Sequence, residues 1–340
     1  MNLLHRKAFT LVELLVAMAI TAAILGMLLQ MIGSSSSQWK STRENAEAYQ
    51  SARVAFDVLT RTLSQATLNI EYDYYDAARR PRLSLAAISD EAERRAQVEA
   101  FKPDIYGRYS GLHFVSGKML VKHQQTHAIF FQAPLDFDSN FREGSDSGQL
   151  NAVGYFVRYG DDSANRPANV SGLPPEPRER FRLMQYLQPT ELLGAYHDAT
   201  GQSWFKTDVD PDPPLNAHVL AENVVVLAIL PKLPDEQMQP ADAIAKDYEY
   251  DSRVAWPSGS QPQPPQMHQM PPVVRVLMVA IDEASAMRNP TLGSEFSNLF
   301  QTPAKFGQDL AQVENALKDA RANYRVFQTD VPIRSAKWSL

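Results

Sequence analysis

Five places in this chain carry residue types at spacings that could do chemistry. His123 and His127 stand four apart in HQQTH, the separation at which a helix would set two imidazoles on one zinc ion. A zinc hydrolase of that pattern also needs a glutamate beside the first histidine as general base, and Gln124 stands there. The pair runs into the strand-like AIFF, where residues four apart share no helical face, so a polar hairpin is the better reading. Asp136, Asp138 and Asn140 imitate the opening of an EF-hand loop, but the sixth position is Phe141 instead of Gly and the twelfth is Ser147 instead of Glu. A looser calcium site, built from these three with Glu143 or Asp146, is the only cofactor that the sequence keeps open. Asp208, Asp210 and Asp212 are a second acidic candidate, and solvated turn carboxylates are the simpler expectation for both. Gly144-Ser-Asp-Ser-Gly148 is no nucleophile elbow, because its middle residue is Asp146. His113, His197 and His218 could serve as a base, yet nothing in the sequence orients them. No catalytic residue and no enzymatic activity are expected.

The fifth place is Glu13. Phe9 to Ile32 reads FTLVELLVAMAITAAILGMLLQMI, with 19 of 24 residues apolar and no charge between Leu14 and Trp39. About 20 such residues span a hydrocarbon core, and His5, Arg6 and Lys7 in front would keep the N-terminus cytoplasmic. The run is longer than the apolar core of a cleaved secretory signal, and no small-x-small site closes it. A membrane helix at residues 9–32 is expected. A lone carboxylate inside it costs up to about 3 kcal/mol unless it has a partner. Cleavage after Ala8 would create that partner, an α-ammonium on Phe9, with Glu13 the fifth residue of the mature chain. Glu13 could then pair with the ammonium of a neighbouring subunit.

The basic leader of residues 1–8 followed by Phe9-Thr10-Leu11-Val12-Glu13 resembles the class III signal of prepilins and pseudopilins. That resemblance implies cleavage between Ala8 and Phe9 by a prepilin peptidase, N-methylation of Phe9, and assembly of the helices into a filament core through Glu13. Ala8 departs from the glycine that the superfamily mostly has before the cut, which bears on cleavage efficiency. Ser51–Leu68, SARVAFDVLTRTLSQATL, is similar to the post-membrane helix of J-type minor pseudopilins. Further likeness runs through Ala66-Thr-Leu-Asn69, Leu112-His-Phe-Val-Ser-Gly117, Phe130-Phe-Gln-Ala-Pro134, Gly154-Tyr-Phe-Val157, His218-Val-Leu-Ala-Glu-Asn223, Tyr250-Asp-Ser-Arg253 and Asn323-Tyr-Arg-Val-Phe327. These stretches resemble the Verru_Chthon cassette protein C family, prepilin-like proteins of four-gene cassettes in Verrucomicrobia. The implied partners are other pilin-like cassette proteins and the inner membrane, with the head periplasmic.

The elements that must carry these residues follow from periodicity. Tyr49, Ala52, Phe56, Leu59, Leu63, Ala66 and Ile70 recur at 3 and 4, so residues 33–70 read as an amphipathic continuation of the helix whose apolar face packs on the protein's own sheet. Residues 71–340 read as a globular α+β head with a mostly antiparallel sheet. Strand-like runs lie at 112–115, 119–121, 128–132, 153–159, 181–187, 219–230, 273–281 and 324–327. Ser116-Gly117-Lys118 reads as a turn, DEAERR as a short surface helix, and Phe306 to Ala320 as an amphipathic helix. WPSGSQPQPPQMHQMPP at 256–272 reads as a polyproline-like surface segment.

Composition sets the outer limits. The chain has 340 residues, 33 Lys and Arg against 39 Asp and Glu, 44% apolar residues and no cysteine. This excludes bulk disorder and all thiolate, disulfide and iron–sulfur chemistry. A net charge of −6 without a basic block argues against nucleic acid as a partner. A monomeric membrane-tethered protein whose head recognises a polymer is the rival expectation.

Overall fold

The structure is a computed structural model and describes residues 11–135, 149–161, 179–196, 201–234, 244–260 and 262–338. The chain divides into two units, Met1–Ala48 and Tyr49–Leu340.

Helix α1 covers Leu11–Leu63. In the second unit its stripe packs as its spacing requires: Ala52, Ala55, Phe56, Leu59 and Leu63 are buried in the main core. The alanines let the helix backbone approach closely, and Phe56 meets Phe327 at 5.7 Å. Past the helix end, Thr67 forms a bridge with Gln132, and Arg334 N–H donates to the Ser64 carbonyl.

Three antiparallel sheets follow, which is the antiparallel α+β character expected. A ribbon pairs β1 (Glu71–Tyr75) with β2 (Ile105–Tyr109). Six strands lie in the order β7-β6-β5-β4-β3-β9: Ala217–Glu222, Arg180–Gln188, Leu150–Gly160, Gln124–Pro134, Val115–Gly117 and Tyr250–Asp251. Three more lie in the order β11-β10-β8: Tyr324–Pro332, Val273–Ile281 and Val224–Lys232. Every residue of β8 is buried, which is why it reads as a continuous apolar run and not as an alternation. The helices are α2 (Glu91–Ala100), α3 (Ser203–Val209), α4 (Glu283–Arg288) and α5 (Phe306–Asp319). Helix α2 realises DEAERR, with the Asp90 carboxylate accepting from Glu93 N–H at 2.7 Å as an N-cap.

Four expectations are corrected. The run 219–230 is two strands in two sheets, because Asn223 adopts φ 59°, a left-handed conformation that asparagine tolerates better than most residues. Ser116 and Gly117 belong to β3, so the turn lies after them. Residues 119–121 form no strand, because the Gln124 side chain serves their backbone: its Oε1 accepts from Leu120 and Val121 N–H, and its Nε2 donates to the Gly117 carbonyl. The proline-rich stretch is no free surface segment, since Trp256, Met267, Gln269 and Met270 are buried and Gln263 binds the β2 backbone. The β1–β2 ribbon, finally, is an element that the periodicity did not reveal.

Candidate functional site

Helix α1 holds Glu13 in its first described turn, while the Glu13 side chain, Ala8 and Phe9 lie outside the described residues. Around that position the helix is apolar on every side. Leu11, Leu14, Leu15, Val16, Met18, Ile20, Ile24, Leu25, Met27, Leu28 and Met31 are all about half exposed or more. A helix with no polar face has to bury itself in something. Among the described residues no helix is long and apolar enough to cross a membrane. The side chains at 12, 13, 17, 29 and 32–48 lie outside the described set and interrupt the apolar run, so the expected span at residues 9–32 rests on the sequence.

The metal candidates divide into those outside the described residues and those with other duties. Asp136, Asp138, Asn140, Glu143 and Asp146 lie outside, as do the GSDSG stretch and His197. Asp208, Asp210 and Asp212 are described, and they diverge. Asp208 accepts from Asn216 Nδ2 at 3.0 Å and from the Tyr186 hydroxyl at 3.2 Å. Asp210 accepts from Lys122 N–H at 2.8 Å, and Asp212 pairs with Arg158 at 2.5 Å. Among the described residues no group of three or more His, Asp or Glu side chains is arranged to hold a metal.

The two histidines of HQQTH are also separated by their backbone. His123 sits in a turn at φ 59°, whereas His127 lies in β4 and is fully buried. His127 Nδ1 accepts from Ile229 N–H at 2.9 Å, and Nε2 donates to the Phe300 carbonyl at 2.9 Å. This pairing assigns the Nε2–H tautomer. Next to it, Thr126 Oγ1 accepts from Leu227 N–H at 3.0 Å. Both bonds satisfy backbone donors of β8 from the neighbouring sheet, so Thr126 and His127 join two sheets through side chains. Burial, with Lys118 adding to it, holds the imidazole neutral and lowers its pKa from 6.5 to about 4.

His113 is likewise buried and committed to structure. Its Nε2 meets Asp251 at 2.7 Å, and its Nδ1 accepts from Trp204 Nε1 at 3.0 Å. Burial alone would raise the pKa of Asp251, but His113 and Arg253 outweigh it and hold the carboxyl below its ordinary value. Both nitrogens of this imidazole are engaged, which takes it out of general-base work. His218 lies in β7, in neither cluster.

A polar cleft of about 330 Å³ opens beside β5 and β6, with His123, Arg158, Tyr159, Glu179, Arg182 and Asp212 among its walls. Its cations have acceptors: Arg158 has Asp212, and Arg182 has the carbonyls of Gly160 and Asp161 at 3.0 and 2.8 Å. The Tyr159 hydroxyl donates to Glu179 at 2.7 Å. Burial and this carboxylate push the Tyr159 phenol up to about 12, so it stays protonated.

The site with a specific chemical reading is therefore the N-terminus, and the comparisons fall on the same segment. Residues 3–29 match the prokaryotic N-terminal methylation motif. The matched stretch contains Ala8, Phe9 and Glu13 and ends within the apolar run. A motif of this kind implies processing by a prepilin peptidase and pilin-like assembly in general. No curated protein and no solved structure matches the chain, so the comparisons say nothing of the head.

Proposed function

We propose that this chain is a minor pseudopilin- or pilin-like subunit, cleaved before Phe9, N-methylated there, and assembled with partner pilin-like proteins. The assembly would be a type II secretion- or type IV pilus-like filament or its tip. The observation that carries this reading is the methylation motif over residues 3–29, in which Phe9-Thr-Leu-Val-Glu13 follows a basic leader. Before assembly the segment at 9–32 lies in the inner membrane as a single pass, with the leader cytoplasmic and the head periplasmic. Its apolar exposure on all sides supports either lipid or a bundle of like helices as its surroundings. Pairing Glu13 with a neighbour's Phe9 ammonium removes two isolated charges from an apolar medium and sets the register between subunits. The role is non-enzymatic. A head running from 71 to 340 is awkward to stack repeatedly around a narrow helical core, which favours a tip or initiation position over the shaft. The Verru_Chthon cassette resemblance supports cassette-encoded pilin-like proteins as the partners.

The test is the N-terminus and mass of the mature protein from a membrane fraction of its native host. A chain beginning at Phe9 with one added methyl group is the expected result. An intact Met1 would overturn it. Ala8 at the cleavage position favours that second reading, a monomeric membrane-tethered binding or adhesion protein.

A further inference from the structure

The β1–β2 ribbon carries a feature that subunit assembly leaves unexplained. Antiparallel pairing sets Tyr74 opposite Tyr106 and Tyr72 opposite Arg108, and strand alternation puts these four residues on one face. The three tyrosines are 61%, 50% and 58% exposed at Tyr72, Tyr74 and Tyr106. Their rings form a row with Tyr106 in the middle, 5.6 Å from Tyr72 and 5.1 Å from Tyr74. The Tyr72–Tyr106 planes lie within 21° of each other and stack, while Tyr74 is tilted by 54° from Tyr106.

A two-stranded ribbon is marginal by itself, and this one is braced from behind. Tyr75 is fully buried on the reverse face, edge-on to Trp256 at 5.1 Å. A Cβ at Gly107 would come within 3.0 Å of Trp256, so the glycine permits the close approach. Gln263 lies along the outer edge like a third strand. Its Oε1 accepts from Arg108 N–H and its Nε2 donates to the Arg108 carbonyl, both at 2.8 Å. The Tyr75 hydroxyl donates to that same carbonyl at 2.5 Å. Three exposed aromatic rings are thus held on a rigid base, which lowers the ordering cost of binding.

The charge on this face selects the kind of ligand. No carboxylate stands among the four residues, and the guanidinium of Arg108 donates to the carbonyls of Pro264 and Met267 at 3.2 and 3.4 Å. A polyanion would want cations turned outward, and a cationic ligand would want acid groups. Phenol rings beside a guanidinium that backbone carbonyls already occupy suit a ligand that is itself a ring with one C–H face and a hydroxyl rim. We propose that the cluster Tyr72–Tyr106–Tyr74 is a binding site for a neutral glycan chain, with pyranose C–H faces against the exposed ring surfaces and the phenol hydroxyls meeting sugar hydroxyls. This goes beyond the assembly role and does not depend on cleavage at Ala8.

The test is saturation-transfer difference NMR on the full chain in a detergent without a sugar head group. The probes are cellohexaose, laminarihexaose and chitohexaose, with a proline-rich decapeptide as the competing class of ligand. Transfer to at least one hexasaccharide is expected. Tyr106→Ala, which removes the central ring, should weaken binding about tenfold, and Tyr72→Ala should weaken it less. Tyr196→Ala, at an exposed tyrosine outside the ribbon, should leave binding unchanged. Unaltered far-ultraviolet circular dichroism and melting temperature show that each variant is folded. Absence of transfer to all three sugars, transfer unaffected by both Tyr106→Ala and Tyr72→Ala, or transfer to the peptide alone would each overturn the proposal.

Discussion

In the unit up to Ala48, Leu14, Ile20, Ile24 and Met27 are each more than half exposed. From Tyr49 onward, residues of the same chemistry vanish into one core that takes in α1, β4, β5, β8 and β10. The head is also thorough with its polar groups: the imidazoles of His113 and His127, the Gln124 and Gln263 amides and the Asp210 carboxylate all serve neighbours within the unit. Among the described residues, the first unit has apolar surface and no buried core. One region buries its apolar side chains within itself; the other leaves them for surroundings that other molecules or a bilayer must supply.

Substitutions can break this contrast, and the largest effect belongs in the head core. Phe130 stacks on Phe205 at 4.0 Å and lies against Gly154, where a Cβ would fall 2.2 Å from its ring. Phe130→Ala should cost about 3–5 kcal/mol and Gly154→Ala about 1–3 kcal/mol through overpacking, both read from urea midpoints. A loss under 1 kcal/mol at Phe130 would contradict the packing described.

Acid should act on the head next. Buried neutral histidines have pKa values lowered from 6.5 to about 4 at His127 and about 3 at His268. The unfolded chain therefore binds more protons than the folded one as pH drops below 6.5, and stability falls with it. Above pH 4.5 this loss belongs to the histidines; the depressed carboxyls of Asp251 and Asp330 add theirs only below about 4. Urea midpoints should decline between pH 7 and 4.5, and His127→Asn should flatten that slope whatever it costs at neutral pH. An equal slope in the variant would remove His127 as a cause.

A smaller effect is expected at Asp330, which accepts from Arg275 at 2.6 Å and Lys232 at 2.9 Å. These partners hold its carboxyl down at about 2. Asp330→Asn should cost about 1 kcal/mol at pH 7, because the group is partly exposed and screened, and the difference should fade as pH falls from 4 towards 2.

The smallest expected effect on stability is the most diagnostic. Glu13→Ala should leave the head's melting temperature unchanged, since Glu13 lies outside that unit, while abolishing incorporation into a complex as judged by cross-linking in membranes. A shifted head transition would join the two units energetically; normal incorporation would dismiss the Glu13 pairing.

How much of this was legible beforehand depends on the range of the contacts concerned. The stripe from Tyr49 to Leu63, the helix from Phe306 and strands such as Val273–Ile281 are visible because apolar period follows element geometry. Glu222-Asn223 could have been read as a break in 219–230, being the polar pair in an apolar run, but that the two halves join different sheets has no local signal. The ribbon escaped notice because EYDYY and IYGRY lie about thirty residues apart and make sense only when paired. Likewise WPSGSQPQPPQMHQMPP has the composition of a surface linker, and its burial of Trp256 and Met267 against that ribbon has no local signal.

The N-terminal signal was readable from the chain alone, because Arg6, Lys7, Phe9 and Glu13 are recognised by type and spacing along the sequence and need no distant partner. The sequence also determined that antiparallel strands and an amphipathic helix would build the remainder, since periodicity is a local property. It took the tertiary structure to decide that His127 joins two strands and His113 binds Asp251 and Trp204, that Asp208, Asp210 and Asp212 part company, and that Tyr72, Tyr74 and Tyr106 cluster on one face. Those outcomes depend on which strands become neighbours, and that is settled by the competition of many long-range packing arrangements for one buried core.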